Sequence, residues 1–294
     1  VNQARPNLAI EIYDKVLRLA DVLNDSTQIK TIKESSYINI GKIYIDQQDW
    51  RRSVNYTKKA LDYAIDDIGR GITHLNLCNA YMQLKAYDTA LFHGQMADTL
   101  FTPVNNPFYE YTVDVNLAEI YNKLGNYELE LQLVDNVEKI STQYDELQGL
   151  FFATNARGRT LSILGRLTEG IKNLKRAEGY ARQIENKTFL RATLQNLAEA
   201  YSKKGQYKLA FEYHEEFYEL DSSLLIAEKT KALDEMLTRY ESEKKDRELS
   251  EQRLTLVEQE AALDQKTSQN RVMLLIVLVV TLLSLLAYHL FRSR

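Results

Sequence analysis

Hydrophobic residues are unevenly spread along the 294-residue chain, and the densest run lies near its C-terminal end. Residues 272–291 read VMLLIVLVVTLLSLLAYHLF, twenty positions without Asp, Glu, Lys, Arg, Gly or Pro. A helix of that length spans roughly the 30 Å hydrocarbon core of a bilayer, and it bonds its backbone polar groups internally. The run therefore predicts a transmembrane helix. The alternative is a helix buried in a globular core, but such helices are rarely this long without a charge.

Before that run, the dominant pattern is a recurring set of four positions. A large residue is followed four positions later usually by Gly, two later by an aromatic residue or Leu, and three later usually by a small residue. The five copies are Tyr44/Gln48/Trp50/Ser53, Tyr81/Lys85/Tyr87/Ala90, Tyr121/Gly125/Tyr127/Glu130, Leu161/Gly165/Leu167/Gly170 and Tyr201/Gly205/Tyr207/Ala210. Their first residues, the anchors, are separated by 37, 40, 40 and 40 positions. Recurrence at such a period indicates an array of like structural units.

Each copy predicts two antiparallel helices joined by a tight turn. Gly adopts the left-handed conformation at a helix C-terminus at little cost, and the aromatic residue after it begins the second helix. Three positions before each anchor stands a small residue that permits close helix contact: Gly41, Cys78, Ala118, Gly158 and Ala198. Residues 100–108, which contain Pro103 and Pro107, predict a loop between the second and third copies.

These residue types at this spacing resemble the tetratricopeptide repeat (TPR) over roughly residues 8–222. The resemblance implies an all-α fold in which antiparallel helix pairs stack into a superhelix. The period near 40 implies longer helices or loops than the usual repeat of about 34 residues. Glu130 and Gly170 stand where TPR proteins usually have Ala. Residues 8–13 mirror residues 209–213, and so predict the second helix of a repeat whose first helix is absent.

In TPR proteins the first helices line a concave face, and several peptide-binding members use asparagines there. Five positions before each anchor stand Asn39, Asn76, Asn116, Ala156 and Asn196. An Asn side chain offers both donor and acceptor, so this ladder predicts a groove for an extended peptide or protein tail. Three positions further along stand Lys42, Asn79, Glu119, Arg159 and Glu199, whose mixed charges imply no strongly acidic or basic ligand. The alternative is that Asn is only a common consensus residue at this position.

Residues 223–270 predict a continuous charged helix between the repeats and the apolar run. No Gly or Pro follows Gly205, and the segment is rich in Glu, Lys, Gln, Leu and Ala, which are good helix formers. In a heptad arrangement, one seam mixes apolar and charged side chains: Leu233, Leu237, Tyr240, Lys244, Arg247, Glu251, Leu254, Glu258 and Ala261. The segment therefore predicts a weak parallel coiled coil and a homodimer. A single exposed helix held by ion pairs is the alternative.

The order of these parts resembles bacterial TPR signalling proteins, with the stretch LTRYESEKK at residues 237–245 followed by a charged helix and a membrane span. The resemblance implies extracytoplasmic repeats and a helix that crosses the inner membrane to a cytoplasmic output, commonly a GGDEF diguanylate cyclase or a histidine kinase. Any such output lies outside this chain. Arg292 and Arg294 after the span favour a cytoplasmic C-terminus, and Tyr288 and His289 suit an interfacial position.

The predicted organisation is a second helix of a truncated repeat (1–30), five TPR-like repeats (31–222), a connecting helix (223–270), a transmembrane helix (271–291) and a basic cytoplasmic stub (292–294). Two functions remain open. The chain is either a receptor whose periplasmic repeats bind a ligand and shift the connecting helix, or a tail-anchored adaptor whose cytoplasmic repeats recruit a client protein to the membrane.

Composition and motifs argue against catalysis and nucleic-acid binding. The net charge of -4 comes without a clustered basic face, and a single cysteine, Cys78, cannot form an intramolecular disulfide. Zinc, dinucleotide and phosphate-loop motifs do not occur, so no catalytic, metal or cofactor site is expected. The four histidines are expected in separate repeats or in the membrane, with structural or surface roles: His74, His93, His214 and His289.

Overall fold

The computed structural model describes the backbone of residues 6–292 and most of their side chains. The side chains outside the description are those of Asn7, Glu235, Arg239, Ser284 and residues 286–292. The expected interfacial Tyr288 and His289 therefore lie outside the described side chains, and most of the basic stub lies outside the described residues.

Within residues 6–292 the chain forms eleven α-helices and one short 3-10 turn. The helices are α1 (Pro6–Ala20), α2 (Ser26–Asp46), α3 (Trp50–Leu61), α4 (Asp67–Gln83), α5 (Tyr87–Phe101), α6 (Pro107–Lys123), α7 (Tyr127–Gln143), α8 (Leu147–Ile163), α9 (Leu167–Gln183), α10 (Lys187–Lys203) and α11 (Tyr207–Arg292). The predicted loop at residues 100–108 is shorter than expected, because α5 runs to Phe101 and the 3-10 turn Thr102–Val104 follows directly.

The helices pair as α2/α3, α4/α5, α6/α7 and α8/α9, and α10 is followed by α11 after a turn of the same kind. The first helices of neighbouring pairs also contact each other, α2 with α4, α4 with α6, α6 with α8 and α8 with α10. The predicted all-α, TPR-like superhelix followed by a long helix is confirmed. Helix α1 packs on α2, where the second helix of a preceding repeat would lie.

The turn inside each pair explains the spacing of the repeat. The residue four positions after each anchor has a left-handed backbone in all five copies, at Gln48 (φ 58°), Lys85 (59°), Gly125 (75°), Gly165 (80°) and Gly205 (78°). The N–H of the next residue then donates to the anchor's carbonyl oxygen, for example Asn126 N to Tyr121 O at 2.8 Å. This is the hydrogen bond that closes a helix C-terminus. The following residue is the first of the second helix.

Small residues bring the helices of a pair into close contact. A Cβ added at Gly158 of α8 would lie 2.9 Å from the carbonyl oxygen of Gly170 of α9, and a Cβ at Gly170 would lie 2.9 Å from that of Gly158. Cys78 is fully buried within a cluster with Ala90 and Ile120, and burial raises the pKa of its thiol to about 12. The predicted packing role of Cys78 is confirmed.

The chain divides into two compact units, one up to Ile226 and one from Ala227 onward. The second unit consists of the later part of α11. Its large apolar side chains from Val272 to Leu283 are more than half exposed. Among the described residues, α11 is the one helix that is long and apolar enough to cross a bilayer by length and composition.

Candidate functional site

The ladder positions lie on the first helices, which contact one another in series from α2 to α10. All four ladder asparagines are half-buried, as are Ala156, Asn79, Glu119 and Arg159, whereas Lys42 and Glu199 are exposed. The structure therefore places the predicted residues at equivalent positions along one layer of helices. Their side chains differ, however, in whether they are free to bind a ligand.

Two ladder asparagines are engaged within the scaffold. The Asn116 amide donates to the Thr112 carbonyl oxygen of its own helix at 2.7 Å. The Asn196 amide donates across to Asn155 Oδ1 at 3.1 Å, and Thr193 donates to the same oxygen at 3.2 Å. Asn155 thus joins α8 to α10 from the position next to Ala156, where the ladder is interrupted. These asparagines stabilise the scaffold in the described conformation.

The ladder asparagines of the first two repeats are not engaged in this way. The Asn76 amide nitrogen is buried and has no hydrogen-bond partner among residues 6–292. The Asn39 side chain likewise makes no hydrogen bond within that range. Exposed Lys42 and half-buried Asn79 lie one turn further along the same helices. The ladder asparagines of α2 and α4 are therefore the ones without a hydrogen bond to the scaffold, although Arg159 Nε of α8 is also buried and unpaired.

Arg159, predicted to line the groove, belongs to a buried polar network around Glu130. The Glu130 carboxylate is fully buried and accepts from Thr160 Oγ1 at 2.7 Å, Asn122 Nδ2 at 2.8 Å and Arg159 Nη2 at 3.2 Å. Glu130 stands at a position where the repeat usually has a small residue. Its hydrogen-bond partners on α6 and α8 explain how a buried carboxylate is tolerated there. In the sequence, Glu130 stands out only as a departure from the repeat pattern. The sequence signal for its partners is the pair Arg159 and Thr160, a cation and a hydroxyl that can both donate to a carboxylate.

Two histidines form an unpredicted pair inside the second repeat. His74 of α4 and His93 of α5 face each other with their Nδ1 atoms 2.9 Å apart, and Tyr81 stacks on the His93 ring at 5.4 Å. The expectation that the histidines lie in separate repeats is therefore wrong for these two. One Nδ1 donates and the other accepts. Burial, followed by the charges of His74 and Lys58, lowers the pKa of His93 to about 4, and burial also lowers the pKa of His74.

An acidic cluster lies on α5 and α6 and is bonded by Asn136 of α7. Burial is the main cause that raises the pKa of Asp114 to about 6, against a hydrogen bond from Asn136 that lowers it, while the nearby Glu110 and Asp98 add to the rise. The Asn136 amide donates to both Glu110 and Asp114 at 2.7 Å. Within the described residues, no group of three or more His, Cys, Asp or Glu side chains is arranged to hold a metal ion.

Comparison with known proteins supports the repeat assignment. A tetratricopeptide repeat family profile matches residues 150–223, which contain α8 after its first turn, α9, α10 and the start of α11. No curated protein sequence matches the chain. Among solved structures, BtubC from P. vanneervenii matches with a TM-score of 0.60 and 14% identity over 76% of this chain and 93% of that one.

Two further structures have the same helical architecture. A Rap protein complexed with competence and sporulation factor matches with a TM-score of 0.59 and 14% identity, over 74% of this chain and 65% of its own. Aspartyl phosphate phosphatase F from Bacillus subtilis matches with a TM-score of 0.55 and 14% identity, over 72% of this chain and 64% of its own. The chain has a TPR-type fold. It spans slightly less than two thirds of the length of these last two proteins, and at such identities the likeness concerns the fold alone.

Proposed function

We propose that this chain is the ligand-binding part of a single-pass membrane receptor. The groove formed by its first helices holds an extended peptide or protein tail, and residues 272–291 anchor it in a bilayer. The observation that carries the proposal is the row of asparagines at equivalent positions on successive first helices, of which those on α2 and α4 make no hydrogen bond to the scaffold. The similar Rap protein, solved with competence and sporulation factor, supports a ligand-binding use of this architecture.

Within this groove the first two repeats are the ligand-contacting part. Asn39, Lys42, Asn76 and Asn79 offer donors, acceptors and one exposed cation, whereas Asn116 and Asn196 are already bonded within the scaffold. A peptide backbone satisfies both functions of an Asn amide, and a buried donor left without a partner is costly. We therefore expect ligand contacts at α2 and α4 in preference to α6 and α10.

The groove is tested by affinity capture with the full chain in detergent, followed by binding measurements with the captured ligand. We expect Asn39→Ala/Asn76→Ala to lose roughly tenfold or more in affinity, because each lost amide bond is worth about 1 kcal/mol. The matched control is Asn173→Ala on α9, whose amide bonds only its own helix at Glu169 O. A double variant that binds as tightly as the parent would show that the ladder does not contact the ligand.

Membrane orientation separates the receptor from the adaptor. The single cysteine is fully buried with a raised thiol pKa, so it contributes little background to maleimide labelling. Lys42→Cys introduces a reporter at an exposed position on α2. In intact cells a membrane-impermeant maleimide labels that reporter if the repeats lie outside the cytoplasm, as we propose. Labelling only after lysis supports the tail-anchored adaptor and excludes the receptor.

Signal transmission through the connecting helix requires two copies and a ligand that prefers one arrangement of them. In a parallel dimer with the predicted seam, Leu254→Cys places two thiols close together, whereas Leu256→Cys, two positions on, places them apart. We expect oxidative cross-linking at residue 254 but not at 256, and a change in its rate on adding ligand. Equal cross-linking at both positions argues against the coiled coil. A cross-linking rate that does not change when ligand is added argues against signal transmission.

A further inference from the structure

The beginning of α11 has an exposed aromatic face. Phe211 is 61% exposed and Tyr218 66%, and His214 is exposed between them. With Glu215 and Glu219 they line a shallow depression of about 300 Å³. This face lies within the first compact unit, which extends to Ile226.

In the earlier repeats, the equivalent face is covered by the next first helix. His214 follows Leu174 by one 40-residue period, and Leu174 is fully buried against Leu197 of α10. One period earlier, Val134 of α7 is 2% exposed and packs with Ala153 of α8. Among the described residues, no helix takes that place over α11. Terminal units of a repeat array need a polar outer surface for solubility, and an aromatic one therefore indicates a covering partner.

Charge at the same place indicates what covers it. At the α7/α8 interface, Arg157 of α8 bridges two acidic residues of α7, with Nη2 at 2.6 Å from Asp135 Oδ1 and Nη1 bonded to Glu138. Burial alone raises the pKa of Glu138, but Arg157 and Arg176 outweigh it and lower that pKa. Glu215 follows Asp135 by two periods of 40, whereas Glu219 stands at the position of Lys139. Neither Glu215 nor Glu219 forms an ion pair among the described residues.

We propose that this face docks a basic amphipathic helix of a partner protein. The helix packs its apolar ridge over Phe211 and Tyr218 and places an arginine or lysine between Glu215 and Glu219, which stand one helical turn apart. A second copy of this chain meeting the face with its own identical face is disfavoured, because it opposes four glutamates at the centre of the contact. This surface is separate from the groove and does not depend on the proposed ligand.

The probe is a helix-stapled peptide of residues Leu147–Ile163, because this segment is the chain's own helix that packs on α7 and carries Arg157. Binding to the full chain in detergent micelles is followed by fluorescence anisotropy. We expect saturable binding that Glu215→Arg weakens by roughly tenfold. A peptide carrying Arg157→Glu should recover most of that loss against Glu215→Arg and bind the parent poorly. The control Glu212→Arg reverses a charge beside the face and should change binding less than twofold.

Phe211→Asp completes the test, since it keeps an exposed position exposed and should abolish probe binding while leaving circular dichroism unchanged. Three results overturn the proposal. They are absence of saturable binding, equal binding by Phe211→Asp and parent, and failure of the charge exchange to restore binding. A parent dimer that Phe211→Asp dissociates in sedimentation would assign the face to a second copy and likewise overturn it.

Discussion

At the scale of single residues, the most constrained position is the left-handed one after each first helix. Gly fills it in three copies, but Gln48 and Lys85 fill it in two. We expect Gly205→Ala to lower the free energy of unfolding by about 1 kcal/mol, because a side chain disfavours this conformation. A Cβ at Gly205 meets no atom within 4 Å, so steric contact adds nothing.

The midpoint of urea unfolding, followed by circular dichroism, measures this change. Lys204→Ala is the neighbouring control, since residue 204 has right-handed backbone and should stay within about 0.5 kcal/mol of the parent. A Gly205→Ala variant as stable as the parent would mean that the turn relaxes without cost.

The histidine pair makes stability depend on pH. Because the pKa of His93 in the folded chain is lowered to about 4, the folded state binds fewer protons than the unfolded state below pH 6.5. The pair's contribution to the free energy of unfolding is complete above pH 6.5. It is lost as the pH falls from 6.5 towards 4, by a few kcal/mol at most. His74→Leu/His93→Phe removes the titrating groups and keeps a ring to stack on Tyr81. We expect its unfolding midpoint to fall less steeply with pH.

Buried carboxylates also make the free energy of unfolding depend on pH, so the double variant is compared with the parent. The raised pKa of Asp114 acts in the opposite sense, since its contribution is present below its ordinary pKa and lost as the pH rises through about 6. The difference between parent and double variant cancels this contribution. If that difference is constant from pH 4 to 7, the pair does not titrate as its burial implies.

At the scale of helices, the sequence predicted the pairing because its signal is local. The left-handed turn, the residue that begins the second helix and the buried small residues each lie within a few positions of the anchor. The features that the sequence did not predict are side-chain contacts between helices. His74 lies seven positions before the anchor Tyr81 and His93 twelve after it, and only the antiparallel pairing of α4 and α5 brings them together. Glu130 likewise depends on partners in α6 and α8.

Gly170 provides the sharpest test of packing between helices. The repeat pattern suggests that Ala fits there, as it does at Ala90 and Ala210, but a Cβ would lie 2.9 Å from Gly158 O and 3.0 Å from Ser162 N. We expect Gly170→Ala to lower the free energy of unfolding by about 1–3 kcal/mol through overpacking.

Gly179, on the same helix α9, has no atom within 4 Å of a Cβ, so Gly179→Ala should raise stability by about 0.5–1 kcal/mol through helix propensity. Both variants are compared by chemical unfolding monitored with circular dichroism. Stabilisation by both would show that α8 and α9 can separate without loss, and that the close contact of Gly158 with Gly170 is not required.

At the scale of the whole molecule, the proposed receptor depends on the apolar end of α11 acting as a membrane anchor. Residues 272–291 contain fourteen Leu, Ile, Val and Phe residues. At about -0.3 to -0.6 kcal/mol each, they favour insertion by roughly 4–8 kcal/mol, and one central arginine costs about 2.5–3.5. We expect Val277→Arg alone to remain in the membrane and Val277→Arg/Val280→Arg to leave it, because two arginines cancel the gain. Alkaline carbonate extraction and flotation of liposomes measure the difference. A parent chain that extracts as readily as the double variant would remove the anchor, and with it the reason for proposing a receptor over a soluble repeat protein.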